Sequence, residues 1–267
     1  MRDAPPEALT ASLRFLRPHL TEKFEAGNID ELSAFSGTYD LTLQFPFEAA
    51  NFVVSLPFGS IHAEISGHPR AANRIGNIYL GVQTKGKSIR GDGVESFSFG
   101  MYLPTASERK MVVYNPQRSI RTDTTYVNSL GAVTNPYEED RFLLGFLTLY
   151  ANTACEWSLR GGFVAAFEVG PNVLIPVDGG DTTARLHYAL AIGNELRRLA
   201  FRTELLGHMS YPERWGSDDP FVHFVDFGVR LGGYPIEPAV FYELPIEGRG
   251  ERPRNGTVGF KVAHTRP

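Results

Sequence analysis

The chain has 267 residues, a formal net charge of −4 and a single cysteine, Cys155. The slightly acidic balance argues against a nucleic-acid partner, which requires a basic surface. One cysteine excludes an intramolecular disulfide and a cysteine-based zinc site. No run of about 18 apolar residues is present, so the sequence encodes no transmembrane helix.

Regular patterning begins near residue 37. We assign no structure to residues 1–36, although this segment has room for one more strand. In GTYDLTLQFPF, which starts at Gly37, the apolar side chains share one face and the polar side chains, beginning with Asp40, share the other. NFVVSLPF follows after a short turn. Strict alternation of this kind predicts paired β-strands.

The stretch GVQTKGKS, from Gly81 to Ser88, matches the phosphate-binding pattern G-x-x-x-x-G-K-[ST]. A phosphate loop needs a helix after it, because the helix N-terminus supplies N–H groups to the phosphates. Here Gly91 and Gly93 would fall in the first two turns, at about 1 kcal/mol each relative to alanine. The chain then alternates again from Ser96. We therefore predict a β-hairpin and no nucleotide binding.

The alternation fails between about 105 and 152, where FLLGFLTLYA is the longest apolar stretch. We predict a long loop there, with short helices over one mouth of the fold. Five alternating segments then follow in close succession, from RLHYALAIG to TVGFKVAH. Tight connections (NEL, GGY) alternate with long polar ones (DGGDTT, PERWGSDDP, GRGERPRN), as in transmembrane β-barrels.

These patterns predict an all-β fold, a single antiparallel up-and-down transmembrane β-barrel that spans residues 1–267. Alternation allows a count of ten to eleven strands, and because bacterial barrels have even strand numbers, we expect ten or twelve. The small or charged face of the strands should line the lumen. The lumen-lining residues predicted in this way are Arg160, Glu168, Arg202, Glu204, Asp226, Arg230, Glu237, Glu243 and Lys261.

Several short segments resemble a family of small bacterial outer-membrane barrels. They are IGN before LGVQ, then FSFGMYLPTAS, then EDRF, and later the strands from RLHYALAIG through VFYELPI to TVGFKV. The family is described as transporters and includes the phenol meta-pathway outer-membrane proteins. The resemblance implies a barrel of about twelve strands in the bacterial outer membrane, with lipid as a partner. It also implies that a signal peptide, absent from this chain, was removed.

The expected function is passive transport of small solutes or a structural role in the outer membrane, without enzymatic activity, cofactor or metal. A soluble lipocalin-like barrel that binds an apolar ligand is the alternative, because its strands alternate too. An outer-membrane lipid-modifying hydrolase is a second alternative. His208 and Ser210 share one strand face, where a histidine could act as base for a serine. That face also carries Arg202 and Glu204, which we assign to the lumen.

Overall fold

The computed structural model describes residues 9–18, 29–65, 68–84, 86, 93–106, 140–211, 221–247 and 256–265. These residues form fourteen β-strands, and every pairing between them is antiparallel. The strands are β1 (Thr10–Pro18), β2 (Ile29–Leu32), β3 (Gly37–Pro46), β4 (Ala50–Ile65), β5 (His68–Ile75), β6 (Tyr79–Thr84), β7 (Gly93–Tyr102), β8 (Phe146–Ser158), β9 (Phe163–Pro176), β10 (Thr183–Leu196), β11 (Leu199–Tyr211), β12 (Phe221–Leu231), β13 (Ile236–Glu247) and β14 (Thr257–Thr265).

The strands close into a barrel. β1 pairs with both β14 and β3, and β4 pairs with β3 on one side and with β5 and β6 on the other. β5 and β6 together fill one position in the wall, interrupted at 76–78. β2 and β3 likewise follow the same side of β4, interrupted at 33–36. The wall therefore has twelve positions, which confirms the predicted antiparallel barrel of about twelve strands and excludes ten.

The two ends of the barrel differ. At the turn end lie the short connections 47–49, 159–162, 197–198 and 232–235, together with the paired ends of β1 and β14. The loop end carries most of the longer connections, above all the one between β7 and β8, whereas the β6–β7 connection 85–92 lies at the turn end. β2, β5 and the second half of β4 form a three-stranded extension at the loop end.

Alternation along the strands sorts the side chains into an apolar outer face and a polar inner face. Phe99, Phe227, Val240 and Phe260, predicted to face outward, are 44–53% exposed. Neighbouring aromatic rings form rows on the outer face. Near the loop end, the Phe15 and Tyr39 centroids are 4.7 Å apart, and Tyr39 continues the row to Phe58. The outer face of the barrel thus carries the large apolar side chains that a soluble protein places in its core.

The hairpin predicted across the phosphate-loop match is confirmed, because β6 and β7 pair in antiparallel register with Gly81 opposite Gly100. Both glycines leave room for one phenol ring. A Cβ at Gly81 or Gly100 would lie 2.3 or 2.5 Å from the Tyr79 hydroxyl. The absence of a side chain at Gly81 and Gly100 thus makes room for the ring of Tyr79, which faces the lumen. Residues 85 and 87–92 lie outside the described residues.

One boundary differs from the sequence prediction, because β8 begins at Phe146, inside the loop predicted for 105–152. The segment 1–36, which had room for one more strand, contributes β1 and β2. In β1 and β8, a large side chain on the inner face, Leu16 or Tyr150, obscures the alternation. Residues 107–139 of that loop lie outside the described part of the chain. In the described part, we find no helix with the length and apolar character needed to span a membrane.

Candidate functional site

The barrel encloses a cavity of about 300 Å³. Uncharged polar side chains line it along β1 and from β3 to β8, where serines, Thr42, two glutamines, Asn152 and three tyrosines face inward. The rings of Tyr79 and Tyr102 are 4.9 Å apart, and Tyr150 meets Tyr79 edge-on at 6.2 Å. This arc offers hydrogen-bond donors, acceptors and aromatic faces, and its charged members are Arg14, Asp40 and Glu156.

Carboxylates concentrate on the opposite arc. Glu204, Asp226 and Glu243 are direct cross-strand partners on β11, β12 and β13. Arg202 lies beside this row, with its guanidinium 2.5 Å from Glu204 and 3.0 Å from Glu156. One arginine thus bridges two carboxylates across the strands β8 and β11. Ion pairs that are withdrawn from bulk water are screened less by salt than surface pairs.

Basic residues form a second row. Arg14 lies directly opposite Lys261 on β14 and opposite Asp40 on β3. Lys261 in turn neighbours Ala239, and Ala239 neighbours Arg230. A solute in the cavity therefore meets charges of both signs, and both rows lie on the stretch of wall from β11 through β14 to β1.

The nine predicted lumen residues divide into two groups. Six border the cavity: Glu168, Arg202, Glu204, Asp226, Glu243 and Lys261. The other three lie at the turn end. Arg230 contacts Glu195 at 3.0 Å and Glu237 at 3.7 Å. Arg160 is exposed, in a single 3₁₀ turn that connects β8 to β9.

A short segment before β8, residues 140–142, lies inside the barrel. The Arg185 guanidinium donates to one Asp140 carboxylate oxygen at 3.1 Å, and the Asn172 amide donates to the other at 2.7 Å. Arg141 forms an ion pair with Asp40, which also accepts from the Ser55 hydroxyl. Arg141 and Asp40 border the cavity, whereas Asp140 does not.

Asn77 holds this segment against the wall. It belongs to the interruption between β5 and β6, where Gly76, Asn77 and Ile78 face only Leu56 and Pro57 of β4. The freed Asn77 N–H donates to the Arg141 carbonyl at 2.6 Å. The Asn77 amide donates to the carbonyls of Asp140 and Leu143. The bulge thus turns backbone groups of the wall toward the lumen.

Closely packed polar residues fill the lumen on the loop side of the cavity. Arg185, His187 and His208 are at most 5% exposed. The two histidine rings lie 5.6 Å apart, and the Asn172 amide contacts the His187 ring. His208 is one half of the His208–Ser210 pair considered as a hydrolytic site. It is buried in the lumen and not on the outer surface, where a lipid would be met.

Sequence reasoning missed the residues that position this segment, chiefly Asp40, Asn77, Asp140, Arg141 and Arg185. Asp40 and Arg185 do follow the alternation and could have been found by it. Asp140 and Arg141 lie outside any strand, so the period of two gives no information on them. The signal in the sequence was that Asp140 and Arg141, two adjacent opposite charges, come directly before the apolar run FLLGFLTLYA.

Metal sites and loops add little to this picture. In the ranges that the structure covers, no three His, Cys, Asp or Glu side chains converge as a metal site. The DGGD stretch at 178–181 is an exposed turn between β9 and β10. Gly179 and Gly180 adopt φ angles of 88° and 120° there, as glycine readily does.

Three solved structures share this fold. An outer membrane channel from Pseudomonas putida F1 superposes with a TM-score of 0.63 at 9% identity, over 98% of this chain and 96% of that one. The NanC porin gives 0.54 at 6% identity, over 97% and 100%. The KdgM porin gives 0.52 at 7% identity, over 97% and 99%. No protein-family model and no curated protein sequence matches the chain.

The likeness extends over nearly the whole length of all four chains. At these identities it establishes the fold. The closed twelve-position antiparallel barrel implied by the resembling sequence segments is therefore the architecture that the chain adopts.

Proposed function

We propose that this protein is a bacterial outer-membrane β-barrel that allows passive transport of small polar solutes. The observation that carries the proposal is the inside-out distribution of polarity. Large apolar side chains cover the outer face, and a polar cavity of about 300 Å³ lies within. A closed barrel leaves no unpaired strand edge, which is what a β-structure in lipid requires.

The outer surface supports placement in a bilayer. Phe227 in the middle of β12 and Phe99 in β7 are each 48% exposed. Aromatic rows lie near both ends, with Phe45 and Phe52 6.4 Å apart near the turn end and Phe15 beside Tyr39 near the loop end. Outer-membrane barrels carry such aromatic girdles at both interfaces, with short turns on one side and longer loops on the other.

The lining of the cavity disfavours the soluble alternative. A lipocalin-like barrel keeps its apolar face inside, where it binds an apolar ligand. Here the inward positions carry Asn152, Glu204, Asp226 and other polar groups, and the apolar positions face outward. The hydrolase alternative loses support because His208 lies within the lumen. We therefore favour a transport role without catalysis.

The class of solute follows from the lining. Hydroxyl, amide and phenol groups predominate from β3 to β8 and charged groups from β11 to β14, beside apolar side chains such as Leu206 and Phe241, so the lining offers polar partners to a solute. A volume of about 300 Å³ accommodates solutes at the lower limit of ordinary ligand pockets. The structural neighbours, an outer membrane channel and two porins, are consistent with this role.

Two measurements test the proposal. The purified protein should require detergent and should migrate differently on a gel before and after heating, since folded barrels resist unfolding. Proteoliposomes should then swell in small neutral sugars and not in large ones, relative to protein-free liposomes. A protein that stays monodisperse in buffer without detergent would contradict the membrane assignment. Proteoliposomes that match the protein-free control would contradict transport.

A further inference from the structure

We propose that Asp140 and Arg141 form an ionic crossbar that determines how wide a solute path the barrel offers. This inference rests on the transport function proposed above and names the element that limits it. The crossbar is defined here as residues 140–142. Its two charged side chains are consecutive in sequence and carry opposite charges.

The geometry of the crossbar follows from its two ion pairs. Arg141 binds Asp40 on β3, and Asp140 binds Arg185 on β10. From β3, the wall passes through β4, the shared β5/β6 position, β7, β8 and β9 to β10, which is six steps in a ring of twelve. Asp40 and Arg185 therefore lie on opposite walls. Two adjacent residues are tied across the full diameter of the lumen.

The cavity ends where the crossbar lies. Asp40 and Arg141 border the cavity, but Asp140 and Arg185, on the loop side, do not and are only 2% and 3% exposed. Side chains are more exposed toward the turn end, where the Glu195 side chain is 55% exposed. The crossbar thus forms the roof of a chamber that is accessible from the turn end.

A third attachment fixes the height of the crossbar. Asn77 in the wall bulge binds the carbonyls of Asp140 and Arg141, and Phe142 is buried beside it. These bonds lie on the wall between the two ion pairs. The ion pairs hold the side chains across the lumen, while the bulge holds the backbone at one side. With the ion pairs released, we expect the segment to stay attached to the wall on one side only and to obstruct the middle of the lumen less.

The test is single-channel recording on the full chain in planar bilayers. The double variant Asp140→Ala/Arg141→Ala removes both ties, and it should raise the conductance several-fold over the wild type because the central obstruction is no longer held. The matched control is Asp178→Ala/Arg197→Ala, which removes one acidic and one basic charge from exposed connections. It should leave the conductance unchanged. Gel mobility before and after heating verifies that each variant is folded.

A charge exchange separates the ion pair from a general packing defect. Arg185→Asp alone places two carboxylates together, and it should raise the conductance. Adding Asp140→Arg restores an ion pair of opposite polarity, and the conductance should fall back toward the wild-type value. This second pair of variants also decides the matter if the double alanine variant fails to fold.

The outcomes distinguish this inference from the function on which it rests. Folded crossbar variants with wild-type conductance, in a barrel that does pass solutes, would overturn the crossbar and leave transport intact. An increase that the charge exchange does not reverse would also overturn it. Folded barrels that pass neither ions nor sugars, in the wild type and in every variant, would overturn both proposals.

Discussion

At the scale of single residues, the placement of the crossbar depends on a glycine, Gly76. A Cβ at Gly76 would lie 2.4 Å from the Arg141 carbonyl oxygen and 3.0 Å from the Phe142 ring. Both contacts are with the crossbar, and the closer one is with backbone that cannot rotate away. Gly76 is therefore required for the close approach of the crossbar to the wall.

Gly76→Ala should displace the crossbar without removing either charge. We expect a loss of about 1–3 kcal/mol in the free energy of unfolding, as for an overpacked core, together with a raised conductance. Gly232→Ala is the matched control, because its Cβ would meet only the Glu237 carboxylate at an ordinary 3.6 Å. Equal behaviour of the two variants in urea unfolding and in conductance would show that Gly76 has no special contact.

The sequence could identify some of these residues and not others. Alternation alone brings Glu204, Asp226 and Glu243 to one face, and the structure sets them side by side at the cavity. It could not identify Asn77, because the bulge that turns this residue inward arises from a mismatch of one residue between β4 and the β5/β6 position, which alternation does not reveal. Nor could it identify Asp140, whose position depends on partners on β9 and β10.

At the scale of strands, the period of two was sufficient for most of the wall. It failed where an inward position carries a large side chain. Tyr150 faces the lumen in β8, so that FLTLY resembles an uninterrupted apolar run, and Leu16 has the same effect in β1. A lumen that is partly filled by large side chains weakens the contrast on which alternation depends, and the strand boundaries suffer first.

The outer face of β12 offers a depth-resolved prediction. Phe227→Arg, in the middle of the strand, should cost about 2–4 kcal/mol in a bilayer, whereas Leu231→Arg, at the turn end, should cost about 0–1 kcal/mol. Both side chains are similarly exposed, at 48% and 46%, so that burial within the protein does not explain the difference. Reversible unfolding from vesicles measures both values. Equal losses of unfolding free energy at the two positions would indicate that this face does not contact a bilayer whose polarity changes with depth.

Spin labels at Phe99 and Val240 give an independent check of this face. Both positions should be accessible to oxygen, which dissolves in lipid, and inaccessible to a polar quencher. Labels at Ser98 and Ala239, one residue earlier on the same strands, point into the lumen and provide the control. Polar quenching at Phe99 and Val240 would place this face in water.

At the scale of the whole molecule, stability depends on closure. β1 is the strand that pairs with both β14 and β3, so that removing it exposes two edges at once. Unpaired backbone groups cost several kcal/mol each in lipid. A chain that begins after Pro18 should therefore fail to form a heat-modifiable barrel. Inserting four Gly/Ser residues between Gly179 and Gly180, in an exposed turn, should be tolerated. Folding of the shortened chain would show that the wall can close without β1.

The antiparallel ring and its even parity could be expected from sequence, because alternation and parity left ten or twelve strands and the resembling segments favoured twelve. The contents of the ring could not, because they depend on contacts between residues far apart in the chain. Arg141 and Asp40 are separated by 101 residues and meet only after closure. The strands of the wall thus follow from local sequence patterns, whereas the side-chain contacts in the lumen form only once the wall has closed.

The pairing of β1 with β14 has a consequence for the order of the chain. Thr10 lies opposite Thr265, and every residue of β1 from there to Pro18 has a partner on β14, as on any other pair of adjacent strands in the wall. Strand ends that lie so close together permit circular permutation. A short linker from Thr265 to Thr10, with new termini opened at the turn between β10 and β11, should rebuild the same ring. β14 and β1 would then be joined as an ordinary hairpin, and the barrel wall would not depend on which strand begins the chain.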